Sequence, residues 1–453
     1  MIFTRLNKAS RPSSAIAMAL VLAATGAVGL TALEAPAHAQ KKKKKEDEAP
    51  KQELSKAFLD VYQQISALVS GETPDNAAAK AKVPELVATI QSADEKNVGG
   101  RMLLSIGYAT EDEDLRAQAM KMMLDSGKGD ATLNGQLNFG LYQIYRDRGD
   151  IANARTALEQ AIATNYSFDA NMSDGTSRAI GPSEMHRMIA ELYFNADRAP
   201  EGVAYLSGVI DGLRSSGQPV PETMIRSALS EAYKNDLAAD STKLVALLTE
   251  FYPTSTTWGD AIIITLNAND FANPDSLDLL RLSRRLNVYN DKRVLSEYVE
   301  LLDSRRYPGE VVAAIDAAYT LPNIDKTDTF LNEARKDASG RLAADRRELQ
   351  TLAKEARAAN ADLKTLVVAG DTFLSYDQPA DAEEFYTRAL SKPGVETAVV
   401  QTRLGIAQFD QGKYSEAIET LGKVQGPRRP IANLWAILAA QKMAPAAAAE
   451  ATM

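Results

Sequence analysis

Asp410–Leu421 reads DQGKYSEAIETL. Gly412, Tyr414, Ala417 and Leu421 stand at steps of two, three and four inside a segment of good helix formers. Glycine in a helix interior costs about 1 kcal/mol relative to alanine, so Gly412 marks a turn. Steps of three and four put Ala417 and Leu421 on one face of the helix that follows. Just upstream, Leu404 and Gly405 lie in a second helical pattern. The stretch reads as helix, turn, helix, with small residues placed where two helices meet.

The same spacing recurs. In a unit starting at Ala398, Leu404, Gly405, Gly412, Tyr414, Ala417 and Leu421 take positions 7, 8, 15, 17, 20 and 24. In a unit starting at Leu363, Ala369, Gly370, Phe373, Ala382 and Tyr386 take positions 7, 8, 11, 20 and 24. In a unit starting at Gly135, Tyr145, Gly149, Ala154 and Leu158 take positions 11, 15, 20 and 24. A looser unit starts at Ser183, with Ile189, Ala190, Tyr193, Gly202 and Leu206. Small residues at 8 and 20 let the helices of a pair approach, and large ones at 7, 11 and 24 fill the space around them. Position 15 suits a residue free to turn left-handed, as Gly149 and Gly412 are.

These units resemble the tetratricopeptide repeat (TPR) family, whose unit is 34 residues of helix, turn and helix. The resemblance implies an all-α fold, a TPR-like α-solenoid of antiparallel helix hairpins, degenerate towards the N-terminal end. The expected organisation is a signal peptide at 1–39, a charged linker at 40–52 and a helical repeat array at 53–330. A bridging helix at 331–362, a TPR pair with a capping helix at 363–443 and a disordered tail at 444–453 follow. Thr110 and Glu113 read as a capping-box pair. The frame breaks at Tyr166–Pro182, expected to be a polar loop.

The N-terminal residues carry their own signals. Arg5, Lys8 and Arg11 precede an apolar run from Ala15 to Leu33, then APAHAQ. That is the pattern of a secretory signal peptide cut between Ala39 and Gln40. Residues 15–33 are a membrane anchor if no cut is made. Cleavage removes more positive than negative charge from a chain already at −9. So acidic a protein, without a basic stripe, is a poor candidate for nucleic acid. Lys41–Lys45 reads as a solvated linker, with contact to an anionic membrane surface as the sharper reading. With no cysteine, packing alone must hold the fold.

No catalytic, cofactor or metal site is expected. His186 is the one histidine after the proposed cut. A lone imidazole without cysteine makes neither a nucleophile triad nor an ordinary zinc site. DANMSDG, Asp169–Gly175, fails as a calcium loop because its glycine is late and no Glu closes it. Trp258 and Trp435 read as packing residues. A glycan-cleaving enzyme with a helical superhelix is a weaker alternative, and no catalytic domain is expected in residues 432–453.

The resemblance implies that positions 2, 5, 9 and 12 of each first helix line a partner-binding groove. These are Gln136, Phe139, Gln143 and Arg146, then Glu184, Arg187, Glu191 and Phe194. Phe139 and Phe194 are expected as exposed anchors. The expected function is a non-catalytic scaffold or adaptor for protein partners in a bacterial cell envelope, in the periplasm. A subunit of a polysaccharide-export or wall-remodelling complex is the alternative. Self-association through the solenoid ends is a further expectation.

Overall fold

A computed structural model describes residues 53–171, 175–289 and 292–443. The expected signal peptide, the Lys41–Lys45 run and the C-terminal tail lie outside them. The described chain is an all-α, TPR-like array of antiparallel helix hairpins, with one short β-hairpin. It divides into two compact units, residues 53–196 and 197–443.

In the first unit, α4 (Ala93–Ala109) pairs with α5 (Glu113–Asp125), and α6 (Ala131–Asp147) with α7 (Ile151–Ala163). Asp112, Asp130 and Asp150 cap α5, α6 and α7 by accepting a backbone N–H three residues on. Such caps satisfy amides a helix start leaves open, worth about 1 kcal/mol each. The expected box at Thr110 and Glu113 does not form. Thr110 donates to the Ile106 carbonyl, closing the preceding helix, and Asp112 is the cap. The box occurs instead at Ser92 and Glu95, at the start of α4.

The hairpin turns repeat one device. Gly149 and Gly412 have φ of 70° and 74°, but Glu111, Asp197, Asp236 and Asp377 adopt 51° to 56°. At several of these turns the next residue's N–H reaches back five residues, as from Asp112 to the Gly107 carbonyl and from Lys413 to that of Gln408. This is the Schellman closure, and it needs a left-handed residue. Non-glycine residues pay about 1–2 kcal/mol for it, offset in part by glycine's larger unfolded-state entropy. Glu111 is exposed. Glu111→Gly is therefore expected to raise the melting temperature by about 2 °C, and Gly149→Ala to lower it. A calorimetric scan checks both, and no rise for the first removes the strain assigned to this turn.

In the second unit, the small residues of the repeat sit under large ones. A Cβ at Gly370 would lie 2.5 Å from the Tyr386 ring, and one at Gly405 2.5 Å from Leu421. Position 8 thus receives position 24, and Ala382 and Ala417 are fully buried beside them.

Burial in this unit is two-sided for some helices. α13 (Asn273–Leu286) buries every residue from Ser276 to Ser283, and α19 (Thr397–Asp410) every one from Thr402 to Phe409. α11 (Ala238–Phe251) buries Leu244 to Thr249 without a break. By contrast α20 (Tyr414–Gly422) buries only Ala417 and Leu421. A helix buried all round is inner core, and one with a single buried stripe is outer. The inner helices α13 and α19 touch each other, α13 also meets α15 (Pro308–Ala318), and α17 (Leu363–Ser375) meets α19. The 29-residue α16 (Thr329–Arg357) runs along α15 and α17. The final helix α21 (Arg429–Met443) packs on α20 and also on α11, α13 and α19. It returns the chain to the middle of its own unit and closes the inner layer.

Candidate functional site

The expected groove residues of the first unit lie on α6 and α8 (Pro182–Phe194). Phe139 is 1% exposed and is no surface anchor. The segment expected to be a polar loop is a β-hairpin, β1 (Phe168–Asn171) against β2 (Ser177–Ile180). Its Phe168 ring stands edge-on to Phe139 at 4.8 Å, with Tyr166 and Tyr142 also against it. The hairpin roofs that part of α6. Phe194 is half-buried.

The polar members are half-buried or exposed and fall into two groups. Arg187 donates to Glu184 at 3.0 Å and to Glu191 at 3.1 Å, and Arg178 of β2 donates to Glu184 at 2.6 Å. Arg146 donates to Asp147 at 2.7 Å and lies 5.5 Å from the Tyr142 ring centre. Burial pushes the Tyr142 phenol up, and Arg146 opposes that. Gln136 and Gln143 are half-buried.

A further row went unread in the sequence. Glu111, the left-handed turn residue, sits where Gly149 sits in the next hairpin. Counting back from it puts Arg101, Ser105 and Tyr108 at the positions that Phe139, Gln143 and Arg146 hold on α6. All three are exposed, Tyr108 at 39%. The signal was missed because Glu does not announce a left-handed turn as Gly does.

His186 is half-buried, and burial pushes its imidazole below the usual value, so it is neutral at pH 7. Among the described residues no group of three His, Asp or Glu side chains could hold a metal ion. No described helix is long and apolar enough to cross a membrane. Trp258 and Trp435 are buried, 4% and 0% exposed.

The second unit holds an ionic core that no local pattern indicated. Arg281 forks onto Glu310 at 2.9 and 2.8 Å and donates to Asp278 at 2.6 Å. Asp278 also accepts from Arg403 at 2.9 Å and from Arg428, which reaches Asp275 as well. Arg403 grips both oxygens of Asp371 at 2.9 Å, and Tyr386 and Tyr298 donate to Asp371 and Glu310. Asp278, Arg281 and Glu310 are at most 1% exposed. Burial alone would push Glu310 up, but Arg281 outweighs it and holds the carboxyl at about 2. Asp278 is likewise driven below the ordinary carboxylate range by Arg403 and Arg428. Carboxylates so held stay ionised at neutral pH and are poor general acids or bases. The core is a clasp: through Arg403 and Arg428 it fastens α19 and the turn that leads into α21 to α13.

No family model matches the sequence, and no curated protein matches it. Among solved structures, the chain is similar to that of Naa15/Naa10 bound to HypK-THB, at 13% identity and a TM-score of 0.23. It covers 79% of this chain and 62% of that one, so the chain spans less than two thirds of its length. The P58(IPK) TPR domain matches at 9% identity and 0.22, covering 85% of this chain and 98% of the other. The Cut9–Hcn1 hetero-tetramer of APC/C matches at 12% and 0.21, covering 84% and 65%. At such scores the TPR-like assignment rests on the chain's own hairpins.

Proposed function

We propose that the chain is a non-catalytic protein-binding scaffold or adaptor of a bacterial cell envelope, exported by its N-terminal segment. The partner docks on the first unit, across the faces of α4, α6 and α8. The observation that carries this reading is the contrast between the two units. In the second, the unit's final helix α21 lies across the inner helices α11, α13 and α19. In the first, the equivalent positions keep Arg101, Ser105, Tyr108, Gln143, Arg146, Arg187 and Glu191 at or near the surface. Exposed tyrosine and arginine together are what interface anchors are made of. The apolar run of residues 15–33 and the small-residue exit before Gln40 support export.

In-cell crosslinking in the source organism tests the reading. A photo-crosslinker replacing Ser105 or Gln143 is expected to trap a specific envelope protein, and one on the outer helix α18 (Pro379–Leu390) is not. Arg101→Ala/Tyr108→Ala is expected to lower the trapped yield at least tenfold with circular dichroism unchanged. Equal trapping from both faces, or an unchanged yield in the double variant, overturns the groove.

A further inference from the structure

The closing helix does not seal against its neighbours everywhere. Where the first turns of α21 pass α11 and α12 (Ser255–Ala268), a cavity of about 500 Å³ remains. Pockets of this size are in the range that holds small molecules. Its walls carry three cations, Arg214, Lys243 and Arg429, against one carboxylate, Glu250. That is a local excess of positive charge on a chain whose net charge is −9.

The cations differ in how far they are already satisfied. Arg214 holds Glu250 at 2.8 and 3.1 Å, and Lys243 holds Asp211 at 2.7 Å. Arg429 is bound only to carbonyl oxygens, those of Gly422 at 2.7 Å and Val424 at 3.2 Å, and has no carboxylate partner among the described residues. Its Nη1 makes both bonds, which leaves Nε and Nη2 for an incoming anion. Beside it, Asn433 is exposed. Across the cavity, Asn269 spends its amide N–H groups on Thr242 Oγ1 and the Thr265 carbonyl, keeping its oxygen as an acceptor. Thr265 itself is fully buried, and its hydroxyl has no hydrogen-bond partner. A lone buried hydroxyl in a polar cavity wall calls for an explanation.

We propose that this seam binds a small hydroxylated organic anion, with a carboxylate or phosphate on Arg429 and Lys243 and hydroxyls on Asn433 and Asn269. Guanidinium groups take such anions through two parallel hydrogen bonds. The amide side chains both donate and accept, which suits a sugar-like skeleton. The ligand touches α11, the end of α12 and α21 at once, so occupancy stabilises the folded unit. The assignment is independent of the protein-docking face on the first unit.

Calorimetric titration of the full chain tests it, with glucuronate, inorganic phosphate and glucose as probes. Glucuronate is expected to give a saturable signal that weakens with added salt and to raise the melting temperature. Glucose is expected to give none at the same concentration. Lys243→Ala/Arg429→Ala, both at exposed positions, is expected to weaken glucuronate at least tenfold with the helical signal intact. Asn433→Ala is expected to weaken glucuronate and leave phosphate unchanged. Glucuronate binding no better than glucose, or unchanged binding in the double variant, overturns the site. Phosphate binding as tight as glucuronate overturns the role given to the two asparagines.

Discussion

Asp278→Ala is expected to destabilise residues 197–443 by about 3–5 kcal/mol, a drop in melting temperature on the order of 10 °C. Asp278 is the shared acceptor of Arg281, Arg403 and Arg428, and it is 0% exposed. Removing it leaves three guanidinium groups in the interior with less charge to answer them. An uncompensated buried charge costs far more than the original pair contributes. Asp278→Asn keeps the shape and loses the charge, and so carries most of the same penalty. Hydrogen exchange localises the effect: amides of α13, α19 and the start of α21 are expected to lose protection together, because Arg403 of α19 and Arg428, at the turn into α21, share the α13 carboxylate. A change below about 1 kcal/mol, within the range of an ordinary surface substitution, would remove Asp278 from the centre of the clasp.

The same core sets a pH dependence. Glu310 is held at about 2, below the ordinary glutamate value of 4.5, and Asp278 is shifted in the same direction. A depressed folded-state pKa means that the unfolded chain binds the proton more readily. The stabilisation is complete above the unfolded value and is lost as pH falls from about 4.5 towards about 2. Acid unfolding of this unit is expected in that window. Glu310→Gln, already weakened at neutral pH, is expected to show a shallower slope there.

Phe139→Ala is expected to cost the first unit about 3–5 kcal/mol. The ring is packed between Tyr142, Tyr166 and Phe168, at centroid distances of 5.5, 6.4 and 4.8 Å. Its loss opens a cavity under the β-hairpin, and the strands Phe168–Asn171 and Ser177–Ile180 are expected to lose amide protection first. An anchor at the surface would behave differently, giving weaker partner capture with no loss of stability. Calorimetry on the isolated full-length variant separates the two. A stable Phe139→Ala protein that loses its partner would return Phe139 to the docking face.

How far the sequence could be read depended on the range of the interaction involved. Gly149 and Gly412 announce their turns because glycine is the residue that adopts positive φ at no steric cost. Glu111, Asp197, Asp236 and Asp377 make the same turn and do not announce it. Their strain is met by the hairpin packing around them, which no local window contains. Phe139 falls at a groove position in the repeat frame, and that placement on α6 is local. Its covering by Phe168 depends on an insertion that folds back as a β-hairpin, and a polar run such as DANMSDG gives little sign of it.

The repeat is written in local spacing. Helix periodicity, turn glycines and alanines at close contacts act within about 35 residues, so a linear spacing is enough to specify a helix hairpin. What the hairpins do with their faces depends on contacts made far along the chain. Arg403 and Arg428 reach Asp278 across 125 and 150 residues, and Trp435 donates to the Asp278 carbonyl across 157. Each of those residues, taken singly, reads as an ordinary polar or packing position. Charges enter an interior only when partners meet them there, and which partners meet is settled when the last helix returns to the unit's centre.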